Sequence, residues 1–94
     1  MNAHNTYVYP NPSQGSVNIR FLLLDPADVG IRIFDIAGKP VWDGSLDRGS
    51  TTAGLNRLVW EGINSNGIPV ANGVYTLVVR ANGTCIIKHI AIVR

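Results

Sequence analysis

The sequence predicts an all-β domain, an antiparallel β-sandwich of about seven strands, from three observations. Short runs rich in Val, Ile, Leu and aromatic residues alternate with polar residues at a period of two. Ten glycines and five prolines interrupt the chain every few residues. No stretch keeps the apolar period of a helix. Strands of this length and spacing are typical of an immunoglobulin-like sandwich.

The length of 94 residues corresponds to one domain, so residues 1–94 are assigned to a single module. Residues 1–6 are expected to be a flexible or added extension, with Met1 as an added start. The N-terminus has neither the charged start nor the apolar segment of a signal peptide. This is expected of a C-terminal module excised from a longer chain.

The first half of the chain contains three predicted strands. Ser16–Leu24 alternates apolar with polar side chains and ends at the turn-forming pair Asp25-Pro26. Val29–Ile36 follows. Lys39–Leu46 is the third strand, and Pro40 near its start removes no hydrogen bond from the interior of a sheet.

The second half contains three more predicted strands, Leu55–Trp60, Val74–Arg80 and Thr84–Val93. Asn82-Gly83 separates the last two. This pair favours a type I′ turn, which needs positive φ at both central residues, and therefore predicts a C-terminal hairpin. One core is predicted to hold the large inward side chains of both halves: Phe21, Ile33, Trp60, Tyr75 and Leu77.

Composition excludes several classes of protein. Hydrophobic residues make up 46% and charged residues 15% of the chain, unlike an intrinsically disordered segment. The net charge of +2 comes without a Lys/Arg cluster, so no nucleic-acid partner is expected. No apolar run is long enough for a transmembrane helix. The single cysteine, Cys85, cannot form an internal disulfide and is expected to be a buried or half-buried apolar residue.

The sequence contains no constellation typical of an enzyme, and it implies neither a metal nor a cofactor. His4 and His89 have no Asp or Cys placed to work with them. Glu61, Asn64 and Asn66 offer oxygen atoms in one turn, but calcium sites usually need several carboxylates, so a plain turn is favoured. An exposed aromatic strip of Tyr7, Tyr9, Trp42 and Trp60 is an alternative that would bind sugars, although Trp60 is predicted to be in the core.

Three segments together resemble a known family. The first is Tyr9-Pro10-Asn11-Pro12, and the second is Ile33–Val41 with its Phe34-Asp35 pair and Gly38. The third runs from Trp60-Glu61-Gly62 to Tyr75. This set resembles the signatures of type IX secretion C-terminal sorting domains and of the related immunoglobulin-like domain of flagellar hook-capping proteins. The residues that carry the resemblance are expected to be scaffold: Pro10, Asn11, Pro12, Asp35, Gly38, Trp60, Gly67, Pro69, Gly73 and Tyr75.

Charge is distributed unevenly along the chain. All six acidic residues lie at or before Glu61, whereas Gly62–Arg94 contains three basic residues and no acidic one. The end of the chain resembles the last strand of sorting domains, which pairs basic with alternating apolar residues. The candidate recognition residues are therefore Lys88, Ile90, Ile92 and Arg94, with Lys88 and Arg94 expected to be exposed.

The resemblance implies a non-catalytic sorting or cell-surface attachment domain. Its partners would be an N-terminally linked cargo protein and the secretion machinery of the outer membrane, and the domain itself would be a monomer. The resemblance places it outside the cell or on its surface. Two alternatives stay open, a hook-capping-type structural domain and a carbohydrate-binding accessory module of a secreted hydrolase.

Overall fold

The computed structural model describes residues 5–94, and these residues form seven β-strands in two antiparallel sheets. One sheet has three strands in the order β1-β2-β5, and the other has four in the order β4-β3-β6-β7. The predicted immunoglobulin-like sandwich is confirmed. The strands are β1 (Thr6–Tyr9), β2 (Val17–Leu23), β3 (Val29–Phe34), β4 (Pro40–Leu46), β5 (Gly54–Trp60), β6 (Gly73–Ala81) and β7 (Thr84–Ile92).

The N-terminal boundary differs from the prediction. All six strands assigned from the sequence are present, but β1 begins at Thr6, inside the segment expected to be an extension. Thr6 is buried because β1 pairs with β2, which places Thr6 opposite Phe21. His4 and the expectation for residues 1–4 lie outside the described residues.

The core lies between the inward faces of the two sheets, and the alternation of apolar residues fills it as predicted. Phe21, Ile33, Trp60 and Leu77 are fully buried, and Tyr75 is nearly so. Trp60 and Tyr75 pack edge to face with ring centroids 5.8 Å apart, an arrangement that aromatic rings prefer. The indole Nε1 of Trp60 donates a hydrogen bond of 2.8 Å to the carbonyl of Ile63, so its polar atom is satisfied.

Trp42 also faces inward, at the edge of the core. It lies opposite Ile33 across the β3–β4 pair and is partly buried. Its ring covers Gly44, where an added Cβ would come within 2.5 Å of the indole. Trp42 and the fully buried Trp60 are therefore not part of an exposed aromatic strip, whereas Tyr7 and Tyr9 are exposed.

Candidate recognition surface at the C-terminal hairpin

The β6–β7 hairpin has the turn that the sequence predicts. Asn82 has a φ of 50° and Gly83 a φ of 76°, the positive values that a type I′ turn requires. The turn fixes the register so that Ala81 pairs with Thr84 and Gly73 pairs with Ile92 at the far end. Two long strands are thus aligned over their whole length.

This register places the apolar candidates of β7 inside the protein. Ile90 lies opposite the inward-facing Tyr75, and both Ile90 and Ile92 are fully buried. They cannot touch a receptor while the domain is folded, so the expectation that they form a recognition surface is wrong. Lys88 lies on the same inward side, opposite Leu77, and is only partly exposed.

Arg94 binds the protein itself. Its Nη2 donates a hydrogen bond of 2.8 Å to the carbonyl of Gly62, and its Nε donates one of 3.2 Å to the carbonyl of Val70. Its backbone N–H donates to Oδ1 of Asn72 at 2.9 Å. The charged end of the chain is therefore tied to the loop between β5 and β6, and Arg94 has a structural role that the sequence did not predict.

We expect Arg94→Gln to lower the free energy of unfolding by about 1–2 kcal/mol, because two backbone carbonyls lose hydrogen bonds to a charged group. The matched control is Arg80→Gln, since Arg80 is exposed on β6 and such surface changes usually stay within about 0.5 kcal/mol. Urea unfolding of both variants measures the difference. Equal stability of the two variants would contradict the structural role of Arg94.

The Tyr9-Pro10-Asn11-Pro12 segment protects the edge of β7. The side chain of Asn11 donates a hydrogen bond of 2.9 Å to the carbonyl of His89 and accepts one of 3.0 Å from the backbone N–H of Ala91. Ser13 continues the contact through its backbone, which bonds to Ala91 and Val93 at 2.8 Å each. An edge strand with unpaired backbone groups is a site of unwanted association. Asn11 and Ser13 cover the C-terminal half of this edge.

The other motif residues build turns. Oδ1 of Asp35 accepts hydrogen bonds from the backbone N–H groups of Ala37 and Lys39 and thereby closes the β3–β4 turn, in which Gly38 has a φ of 82°. The hydroxyl of Tyr75 donates a hydrogen bond of 2.6 Å to the carbonyl of Ala71. Burial, and after it the negative charge of Asp35, raise the pKa of the Tyr75 hydroxyl, which stays protonated and able to donate.

The turn between Trp60 and Pro69 is also held by a side chain. Oδ1 of Asn64 accepts hydrogen bonds from the backbone N–H groups of Asn66 and Ile68, Gly67 has a φ of 78°, and Pro69 forms a bridge with Ile63. The carboxylate of Glu61 points elsewhere and accepts a hydrogen bond from Ser16. Within residues 5–94 no three His, Cys, Asp or Glu side chains form a group suited to a metal ion.

The outward face of the hairpin carries apolar and charged residues that were not among the candidates predicted from the sequence. We call Val74, Val78, Arg80 and Ile87 the outward hairpin face. Val78 and Ile87 are direct cross-strand partners, and Ile87 is 59% exposed. Cys85, opposite Arg80, is exposed rather than buried, because its parity in β7 is opposite to that of the core residues. The sequence could have identified this face, because an inward Tyr75 and a two-residue turn together fix which residues of β7 point outward.

The fold and these contacts define an immunoglobulin-like domain whose distinctive residues build its turns and protect a sheet edge. The model of the FlgD Ig-like domain family matches residues 5–84, so the chain belongs to that family. No curated protein matches the sequence.

Several solved structures share the fold. Dimeric latent PorU from Porphyromonas gingivalis superposes with a TM-score of 0.73 at 21% identity, over 95% of this chain and 9% of that one. PorZ of the same organism, described as a surface component of the type IX secretion system, gives 0.66 at 23% identity, over 95% of this chain and 11% of that one. FlgD from Xanthomonas campestris, whose structure is described in connection with hook capping, superposes with a TM-score of 0.65 at 22% identity, over 93% of this chain and 66% of that one. The chain thus spans only part of each neighbour.

The structure also bears on membrane spanning by helices. Within residues 5–94 no helix is long and apolar enough to cross a membrane.

Proposed function

We propose that the chain is a non-catalytic C-terminal sorting domain, which directs an N-terminally linked cargo protein through type IX secretion to the cell surface. The motif set that resembles sorting domains supports this role, as does the structural likeness to PorZ, a type IX surface component. The role needs no cofactor. Its partner is the secretion machinery of the outer membrane, which would bind the domain as a monomer.

The observation that carries the proposal is the outward hairpin face. Val78 and Ile87 form an apolar pair on a sheet surface, and the exposed Arg80 lies one row away along β6. An apolar centre beside a positive charge suits recognition by another protein, because apolar burial contributes affinity and the charge contributes orientation. Recognition is therefore assigned to Val78, Arg80 and Ile87, in place of the buried Ile90 and Ile92.

A reporter fused in front of residues 1–94 tests this assignment in a host that has the type IX route. The double variant Val78→Thr with Ile87→Gln should leave most of the reporter in the periplasm, because it removes the outward apolar pair of the exposed Ile87 and the half-buried Val78. Both changes lie on the outward face, so we expect the purified variant to melt within a few degrees of the parent. The matched control is Leu55→Gln, a change at an exposed apolar residue on β5 of the other sheet.

Three results would count against the assignment. Normal surface display of the double variant would remove the outward hairpin face from recognition. Equal retention of the Leu55→Gln control would show a general effect of surface polarity. Failure of the parent domain to export the reporter would contradict the sorting function as a whole.

A structural role in an assembly is the second candidate function. Membership of the FlgD Ig-like domain family and the likeness to Xanthomonas campestris FlgD favour it. In that case the outward hairpin face would contact copies of the same chain, and sedimentation of purified residues 1–94 would show concentration-dependent oligomers. A monomer that exports its reporter would exclude this candidate.

A further inference from the structure

A second surface lies on the opposite side of the sandwich, on the outer face of the β1-β2-β5 sheet. Tyr7 of β1, Arg20 of β2 and Arg57 of β5 are aligned in one row by the strand registers. Tyr9 lies in the next row along β1. We call Tyr7, Tyr9, Arg20 and Arg57 the tyrosine–arginine face.

The two arginines of this face are unbalanced by negative charge. Arg20 and Arg57 are direct cross-strand partners, a placement in which like charges destabilise a sheet. Neither forms an ion pair with a carboxylate among residues 5–94. The nearest acidic residue along these strands is Glu61, four positions beyond Arg57, so their Cα atoms are about 13 Å apart at the usual rise of a strand. The carboxylate of Glu61 already accepts a hydrogen bond from the hydroxyl of Ser16.

Arg20 is also incompletely hydrogen-bonded. Its Nε is shielded from solvent and has no hydrogen-bond partner among the described residues. Its Nη1 donates only a long bond of 3.4 Å to the hydroxyl of Tyr9. The shielded Nε cannot be reached from solvent, but within residues 5–94 the terminal nitrogens make only this one long bond, so they can donate to an acceptor that the free domain does not supply.

The tyrosines add flat apolar surface to this charge. Tyr7 is 54% exposed and Tyr9 is 40% exposed, so a large part of each ring is open to a ligand. A tyrosine ring offers an apolar face and a polar tip and loses little conformational freedom on binding. Rings of this kind stack on the C–H faces of sugar rings.

We propose that the tyrosine–arginine face binds an anionic polysaccharide, whose carboxylate groups are held by Arg20 and Arg57 and whose sugar rings stack on Tyr7 and Tyr9. Charge complementarity selects an acidic ligand, since guanidinium groups bind carboxylates through two parallel hydrogen bonds. The groups that would contact the ligand are side chains on the sheet face, which stand at right angles to the backbone edges of β1 and β5. A sugar acid binds such side chains through stacking and paired hydrogen bonds, whereas an extended acidic peptide binds chiefly by backbone pairing with an edge strand. The site is independent of the sorting function.

Oligogalacturonate is the probe, and titration calorimetry on residues 1–94 is the measurement. The fully methyl-esterified oligomer has the same sugars without the charge, and we expect it to bind at least about tenfold more weakly. Arg20→Gln with Arg57→Gln should weaken binding of the acid form at least about tenfold, and Tyr7→Ala should weaken both forms. The matched control is Arg32→Gln, an exposed arginine on β3 of the other sheet, which should leave binding unchanged.

A second variant separates binding from folding. Arg57→Gln alone removes the like-charge contact from an exposed position, so it should melt at or above the temperature of the parent and still bind the acid form more weakly. The proposal fails if the parent does not bind the acid form, if the methyl ester binds equally well, or if Arg32→Gln weakens binding as much. Tighter binding of oligoglutamate than of oligogalacturonate would identify an acidic protein as the partner and would also overturn it.

Discussion

Trp60→Ala should lower the free energy of unfolding by about 3–5 kcal/mol, the usual cost of truncating a buried large aromatic. Trp60 is fully buried, packs against the ring of Tyr75, and satisfies its own indole N–H through the carbonyl of Ile63. Trp60 lies on β5, whose pairing with β2 lets the surrounding structure relax only partly into the cavity. Domains of this size are stable by about 5–15 kcal/mol, so the loss is a large share of the total. Urea unfolding measures it.

Trp42→Ala is the matched control for that prediction. Trp42 is only partly buried and lies at the edge of the core, so its truncation should cost less than that of Trp60 because the remaining space is open to solvent. Trp60→Phe keeps most of the buried area and loses the hydrogen bond to Ile63, for an expected cost of about 1–2 kcal/mol. Equal effects of Trp42→Ala and Trp60→Ala would show that Trp60 is not the anchor of the core.

The sequence was sufficient for features that depend on neighbouring residues. Alternation placed Phe21 and Leu77 inward because a strand turns every second side chain to the same face. Asn82-Gly83 specified its turn because both residues tolerate positive φ. Such features are local, and the pattern that predicts them is local as well.

Two errors concern contacts that the sequence of one segment does not specify by itself. Arg94 was expected to be an exposed recognition residue; it is exposed, but its side chain also bonds to the carbonyls of Gly62 and Val70, more than twenty positions earlier. β1 was not assigned because its four residues are too few to show a pattern, and its pairing with β2 decides its structure. The bonds of Arg94 depend on how the fold brings the C-terminus against the loop between β5 and β6, and the structure of β1 depends on its partner strand β2.

The face of β7 is a different error, because the information was present. Tyr75 was assigned inward and the turn was assigned two residues, and these two statements together place Ile90 opposite Tyr75. They also place Cys85 and Ile87 outward. The inward face of β7 was not evident from its composition, because apolar residues occupy both odd and even positions of the strand. Register, rather than composition, decides which side of such a strand meets the core.

Among substitutions of a loop glycine by alanine, Gly62→Ala should lower the free energy of unfolding the most, by about 3 kcal/mol. Gly62 has a φ of 73°, and a Cβ there would lie 2.7 Å from the carbonyl oxygen of Gly15 and 3.0 Å from Nη2 of Arg94. The backbone oxygen cannot move away easily, since Gly15 lies in the turn that Ser13 holds through hydrogen bonds to Ser16 and to the N–H of Gly15. The methyl group would therefore also disturb the contact between Arg94 and the loop.

Gly67→Ala separates the two causes of that loss. Gly67 lies in the same loop with a φ of 78°, but nothing lies within 4 Å of the position of its Cβ. Gly67→Ala therefore introduces backbone strain without a steric collision, and we expect it to lower the free energy of unfolding by about 1 kcal/mol. This is the penalty for an alanine in the left-handed region, reduced because alanine lowers the conformational entropy of the unfolded chain. The difference between the two variants in urea unfolding then measures the close packing of Gly62, Gly15 and Arg94. If Gly62→Ala costs no more than Gly67→Ala, these segments are not packed as described, and the structural role of Arg94 fails with them.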